Sequence, residues 1–178
     1  MSLKELTKDK HAAAEGTKFM RAVFDQTLPM NLWEDYTYQK YIWYQAIEDS
    51  ARSVGLLDQL PGIERADLIM EDYEEMVKGQ LGVHTYKDVS KNYAEYIKSL
   101  TDPVKIMAHL YTWHMGDMFG GQMIKKIIKA PHRHLEFDNV KDLRFTIRGM
   151  LDDNMADEAN IAFDWAIQIL QAYDSSLE

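Results

Sequence analysis

Gly116, Gly120 and Gly121 crowd three glycines into six positions of a stretch that otherwise reads as one long helix. Each glycine in a helix interior costs about 1 kcal/mol against alanine. A chain that accepts a helix weakened by about 3 kcal/mol needs bare backbone there. A bare face lets the main chain approach a flat or bulky group closely and lets the helix bend over it. Asp117 stands one turn before Gly121, so a carboxylate lies beside that face. Close helix–helix packing is the other use of small residues, and spacing alone does not separate the two.

Thr101-Asp102-Pro103 ahead of the stretch is a helix start, with Asp102 as cap and Pro103 at the first helical position. No proline follows until Pro131, so a helix is predicted over 104–130. Proline, glycine and aspartate punctuation divides the rest. The apolar spacing predicts helices over 3–15, 17–25, 31–57, 63–78, 86–100, 138–153 and 155–173, with Asn31 capping the third and a loop over 79–82. No segment alternates as a strand does. The expected fold is all-α, a single-domain multi-helix bundle over residues 1–178.

A chain of 178 residues with 46% hydrophobic and 28% charged residues can bury one sizeable core. It has no cysteine, which excludes disulfides, thiolate nucleophiles and Cys-ligated zinc or iron–sulfur centres. A formal net charge of −9 argues against general nucleic-acid binding. Eleven methionines fill irregular core space or line a deformable pocket. No apolar run approaches the roughly 20 residues that span a bilayer, so no membrane anchor is expected. The polar start Met1-Ser2-Leu3-Lys4-Glu5 lacks a signal-peptide core, and a cytoplasmic location is the simplest reading.

Three groups of residues could carry chemistry. His11 and Glu15 are four apart and share a helix face, and the small Ala12, Ala13 and Ala14 leave space above the ring. One imidazole nitrogen can bind a metal while the other donates to a nearby acceptor such as Glu15. The same pair on a solvated face is surface decoration. Asp117 and the glycines form the second group. Arg144 and Arg148 form the third, again four apart, and could hold carboxylates or pair with Asp142 and Asp152 in water. A histidine under open space, a bare helix with an acid and paired guanidiniums together are what a heme site needs.

At this point the chain resembles the heme oxygenase family. The segment Leu3-Lys4-Glu5-Leu6-Thr7-Lys8-Asp9-Lys10-His11-Ala12-Ala13-Ala14-Glu15-Gly16 is similar to the family's proximal helix. Gly116-Asp117-Met118-Phe119-Gly120-Gly121-Gln122 with Lys125-Lys126 is similar to its distal helix. The resemblance runs nearly end to end. It implies His11 as proximal iron ligand with Glu15 behind it, and Gly116, Gly120 and Gly121 as backbone over the porphyrin. It implies Asp117 as the acid that orders distal water, and Lys4, Tyr111, Arg144 and Arg148 at the propionates. Phe163 falls at the heme edge.

The implied reaction opens heme to biliverdin, normally at the alpha meso position, and releases carbon monoxide and ferrous iron. Heme would be both substrate and cofactor, O2 the oxidant, ferredoxin the electron donor, and a bilin reductase a downstream partner. Lys125, Lys126, Lys129, Arg133 and Lys141 concentrate positive charge where an acidic redox protein could dock. Phe119 stands where a small residue is common, and Trp113-His114 where animal members often carry Arg-Tyr. Two other readings compete. One is a heme carrier without turnover. The other is a non-heme member of the same fold, with Glu48, Asp49 and Asp72 as carboxylates but no paired Glu-x-x-His.

Overall fold

Ser2 and Glu5 start the first helix by capping each other. The Ser2 hydroxyl accepts from the Glu5 amide, and the Glu5 carboxylate accepts from the Ser2 amide at 2.7 Å. The computed structural model describes residues 1–79 and 87–178. Its helices are α1 (Leu3–Glu15), α2 (Lys18–Phe24), α3 (Met30–Ser53), α4 (Ala66–Val77), α5 (Asp88–Lys98), α6 (Pro103–Phe119), α7 (Gly121–Ile127), α8 (Val140–Met150) and α9 (Ala156–Gln171). There is no strand among the described residues. None of the described helices is long and apolar enough to cross a membrane.

α6 is the centre of the bundle. Ile106, Met107, Ala108, Leu110, Trp113 and Met118 are buried on several of its faces, so it has no wide polar side. α9 packs along both α6 and α1, and α3 packs against α4, α5 and α6. Because α1 and α6 lean on the same support, a gap opens between them. Trp43, Tyr44, Ile47, Tyr93 and Ile169 fill the interior behind α6.

Several predicted boundaries move, each for a local reason. α3 begins at Met30 behind Pro29, one residue before the predicted Asn31 cap, with no side-chain cap bond. α4 begins at Ala66 rather than 63. Gly62 takes a left-handed φ of +87°, and the Arg65 guanidinium then captures the carbonyls of Gly62 and Glu64 at 2.7 Å each, holding a turn in place of helix. The helix predicted over 104–130 is interrupted at Gly120 and ends at Ile127. At the interruption the Ile124 amide reaches the Gly120 carbonyl only at 3.5 Å, while the Gln122 side chain donates to the Asp117 carbonyl at 3.3 Å and to the Leu135 carbonyl at 2.8 Å. Beyond Gly79, the predicted loop over 79–82 and the predicted helix start at Tyr86 lie outside the described residues.

Candidate functional site

The gap between α1, α6 and α8 is a cleft of about 710 Å³. α1 is fastened to α9 by Lys10 Nζ on Asp164 Oδ1 at 2.6 Å and by the Asn160 side-chain amide on the Leu6 carbonyl at 3.2 Å. That attachment presents His11 to the cleft. The imidazole is 58% exposed, with Nε2 3.5 Å from Glu15 Oε1. Its ring meets Phe163 of α9 edge-on, centroids 5.7 Å apart.

Opposite His11 stand Tyr111, Met115, Gly116, Phe119 and Gly120 of α6. A Cβ added to Gly116 would meet nothing within 4 Å, so the glycine presents bare backbone to open space. α8 buries Leu143 and Ile147 and turns Arg144 and Arg148 to the cleft. The Arg144 guanidinium lies 5.1 Å from the Phe119 ring centroid. Lys4 adds a third cation to the wall. One imidazole, an opposing strip of bare backbone and three cations suit a flat metal-bearing group with carboxylates at its edge. Among the described residues, no group of three or more His, Asp and Glu side chains could hold a metal ion, so the imidazole would act as a single protein ligand.

Three of the expected site residues do not line the cleft. Glu15 is one of them because its expected place is behind His11, which it touches. Gly121 is turned away from it. An added Cβ there would lie 3.0 Å from Leu135 Cδ2, so this glycine serves close packing. Asp117 points sideways into α3 and is nearly buried. Its Oδ1 accepts from Lys40 Nζ at 2.8 Å and its Oδ2 from the Tyr44 hydroxyl at 2.6 Å.

Asp117 belongs to a buried ionic cluster behind α6. Glu48 accepts from His114 Nε2 at 3.0 Å and from the backbone amides of Arg65 and Ala66, so a side chain of α3 caps α4. Asp72 accepts from Arg133 at 2.9 Å and from His134 Nδ1 at 2.6 Å. Two of these carboxylates are thus ion-paired, Asp117 with Lys40 and Asp72 with Arg133. Glu48 takes backbone amides and His114, and the Arg65 guanidinium donates instead to the carbonyls of Gly62, Glu64 and Glu136. Burial lowers the pKa of His134, and the nearby Lys40 charge lowers it further. Burial alone would raise Asp72, but its bonds from His134 and Arg133 outweigh that and bring it below the usual carboxylate range. Burial, then the Asp117 charge and hydrogen bond, push the Tyr44 phenol well up, so it stays a donor.

Lys40 escaped the sequence reading, although a signal existed. It falls at four-residue spacing between Tyr36 and Tyr44, inside the buried stripe of α3, where an unpaired charge is not tolerated. Arg133, expected as a docking cation, is instead engaged by Asp72 and Glu75.

The sequence profile described as heme oxygenase matches residues 1–148. Heme oxygenase 2 of Macaca fascicularis is 28% identical over 98% of this chain, and the chain spans about 65% of that protein's length. Heme oxygenase 1 of Synechocystis is 24% identical, covering 98% of this chain and 84% of that one. The crystal structure of the Synechocystis heme oxygenase-1 in complex with heme matches the fold with a TM-score of 0.88 at 22% identity, covering 98% of this chain and 91% of that chain.

Proposed function

We propose, from the premise that this chain belongs to the heme oxygenase family, that its cleft takes heme as substrate and that the chain opens the macrocycle oxidatively to biliverdin with release of carbon monoxide and ferrous iron. The observation that carries this is the opposition of His11 on α1 to the bare Gly116–Gly120 backbone of α6, with Arg144, Arg148 and Lys4 on the same wall system. A relative of the same fold holds heme in its crystal structure.

Bound heme would supply the oxidative chemistry, drawing on O2 and external electrons. The protein's part is to bind, orient and control protons. A His11 nitrogen would take the iron, with Glu15 3.5 Å away holding the ring from outside. Lys4, Tyr111, Arg144 and Arg148 would hold the propionates, and Phe163 would pack on the edge of the ring system. Backbone at Gly116 and Gly120 would bring α6 close without side-chain interference. Asp117 would order water on that face through the lone pairs its two protein donors leave free. Cleavage at the alpha meso carbon, electrons from a ferredoxin-class donor and delivery to a bilin reductase complete the reading.

The test is a product assay. Purified chain, heme, O2 and a ferredoxin reducing system should yield a bilin by chromatography, with the alpha isomer dominant. One observation favours the carrier reading: Asp117 lies off the cleft wall with both carboxylate oxygens engaged. Stable oxygenated heme with no bilin would establish the carrier and remove the enzyme.

A further inference from the structure

We infer that Lys40 is the positioning residue for Asp117, and that it acts on the reaction through this carboxylate without touching the heme site. The inference rests on the heme reading of the cleft. Lys40 is only 4% exposed, a placement that is costly for an ammonium unless its partner is fixed. Its Nζ donates to Asp117 Oδ1 at 2.8 Å and lies 5.1 Å from the Tyr44 ring centroid. Tyr44, one turn further along α3, holds Oδ2. Two donors on one face of α3 therefore fix the carboxylate plane and decide which lone pairs remain for water. Asp117 sits between Gly116 and Gly120, the residues that line the cleft, so its anchoring also ties that strip of α6 to α3.

A purely structural role does not need a lysine here. Replacing a buried ion pair with well-packed apolar side chains is often neutral or stabilising. Lys40 is absent from the cleft wall, so heme affinity should not depend on it directly. Its position predicts an effect on turnover that is separable from binding.

The test compares wild type with Lys40→Met, Lys40→Arg, Asp117→Asn and the double variant Lys40→Met/Asp117→Asn, all in the full chain. The double variant leaves no unpaired buried charge, so it serves if Lys40→Met alone fails to fold. We expect heme affinity to stay within about twofold, while bilin formed per heme consumed falls by roughly 10-fold to 100-fold in Lys40→Met. Lys40→Arg should recover most of that loss. The double variant should match Asp117→Asn, because a residue acting through Asp117 adds nothing once the carboxylate is gone. In the apoprotein, the Asp117 carboxyl 13C resonance should move in Lys40→Met and return toward wild type in Lys40→Arg. An unmoved resonance overturns the proposal, as does wild-type bilin yield in Lys40→Met or a double variant clearly worse than Asp117→Asn. A wild-type chain that forms no bilin overturns the heme reading and this inference together, whereas failure confined to the Lys40 variants overturns this inference alone.

Discussion

α6 has two working faces with opposite designs. Toward the cleft it offers bare backbone at Gly116, and His11 stands across open space with more than half its ring exposed. Toward α3 it buries Asp117 and His114, every charge matched by a close partner. The cleft face is unfilled, so it can admit a ligand. The α3 face is tied to Lys40, Tyr44 and Glu48, so it holds α6 in place while the ligand is admitted. The lesson is that the openness of the first depends on the rigidity of the second, since a helix with a glycine in its last turn and two more at the break that ends it has little stiffness of its own there.

The largest effect should come from the cleft side. His11→Ala should lower bilin formation by more than the roughly 10- to 100-fold that loss of an outer-shell partner costs. Added imidazole should restore part of it, and optical spectra of the ferric heme complex should change. Unchanged spectra would mean that another group binds the iron, and the division of α6 into a ligand face and an anchor face would lose its first half.

The second effect tests the anchor. Glu48→Ala strips the cap from α4 and leaves His114 Nε2 without its acceptor. Breaking a buried pair of this kind costs about 3–5 kcal/mol, which chemical denaturation would register as a large fall in midpoint. A loss below about 1 kcal/mol would show that the cluster is not what stiffens α6.

How much of this was legible in the sequence follows the same division. The helical bundle, the glycine run and the His11, Arg144 and Arg148 spacings were readable because they depend on neighbours along one helix. The α3 cluster was not. Lys40 and Asp117 are 77 residues apart, and no periodicity in either helix announces the pairing. Asp117 is recognisable as an acid beside the glycine face, but its two donors on α3 are not, because one helical step of about 100° turns it from the cleft-facing Gly116 toward a helix distant in sequence. Gly121 shows the same limit. Glycines at 116 and 121 look alike in the chain, and only the Leu135 side chain, delivered by the turn after α7, gives them different tasks.

Those two glycines give the third test, smaller in energy and sharper in logic. Gly116→Ala should leave stability unchanged or raised by up to about 1 kcal/mol, since alanine is the better helix former and nothing opposes its methyl group. It should nevertheless weaken heme binding, measured by titration, because the methyl enters the cleft. Gly121→Ala should do the reverse, lowering the unfolding midpoint as Leu135 shifts and leaving heme affinity alone. Similar behaviour of the two variants would dissolve the contrast between the faces.

The smallest effect is a slope. His134 is buried with Nδ1 donating to Asp72, and it faces Lys40 from α3 and Asp117 from α6, with Arg133 beside it on Asp72. Its folded pKa is held below the ordinary 6.5, first by burial and then by the Lys40 charge. Just below that value the unfolded chain binds more protons than the folded one, so stability must fall as pH falls. The contribution is complete above pH 6.5 and is lost on the way down through the folded pKa. Asp72 titrates in a separate window, because its lowered pKa gives a contribution that survives until the pH drops below its ordinary 3.8. Denaturation at pH 7.5 and at about 5.5 therefore isolates the histidine. His134→Gln, which can still donate to Asp72, should show a shallower loss between the two conditions than wild type. Lys40→Met should also flatten the slope, but by less, because burial remains and only the second cause is removed. A Lys40→Met slope equal to wild type, beside a shallower His134→Gln slope, would place Lys40 too far from His134 to be felt, and the anchor face would then be a set of separate pairs that happen to share a helix.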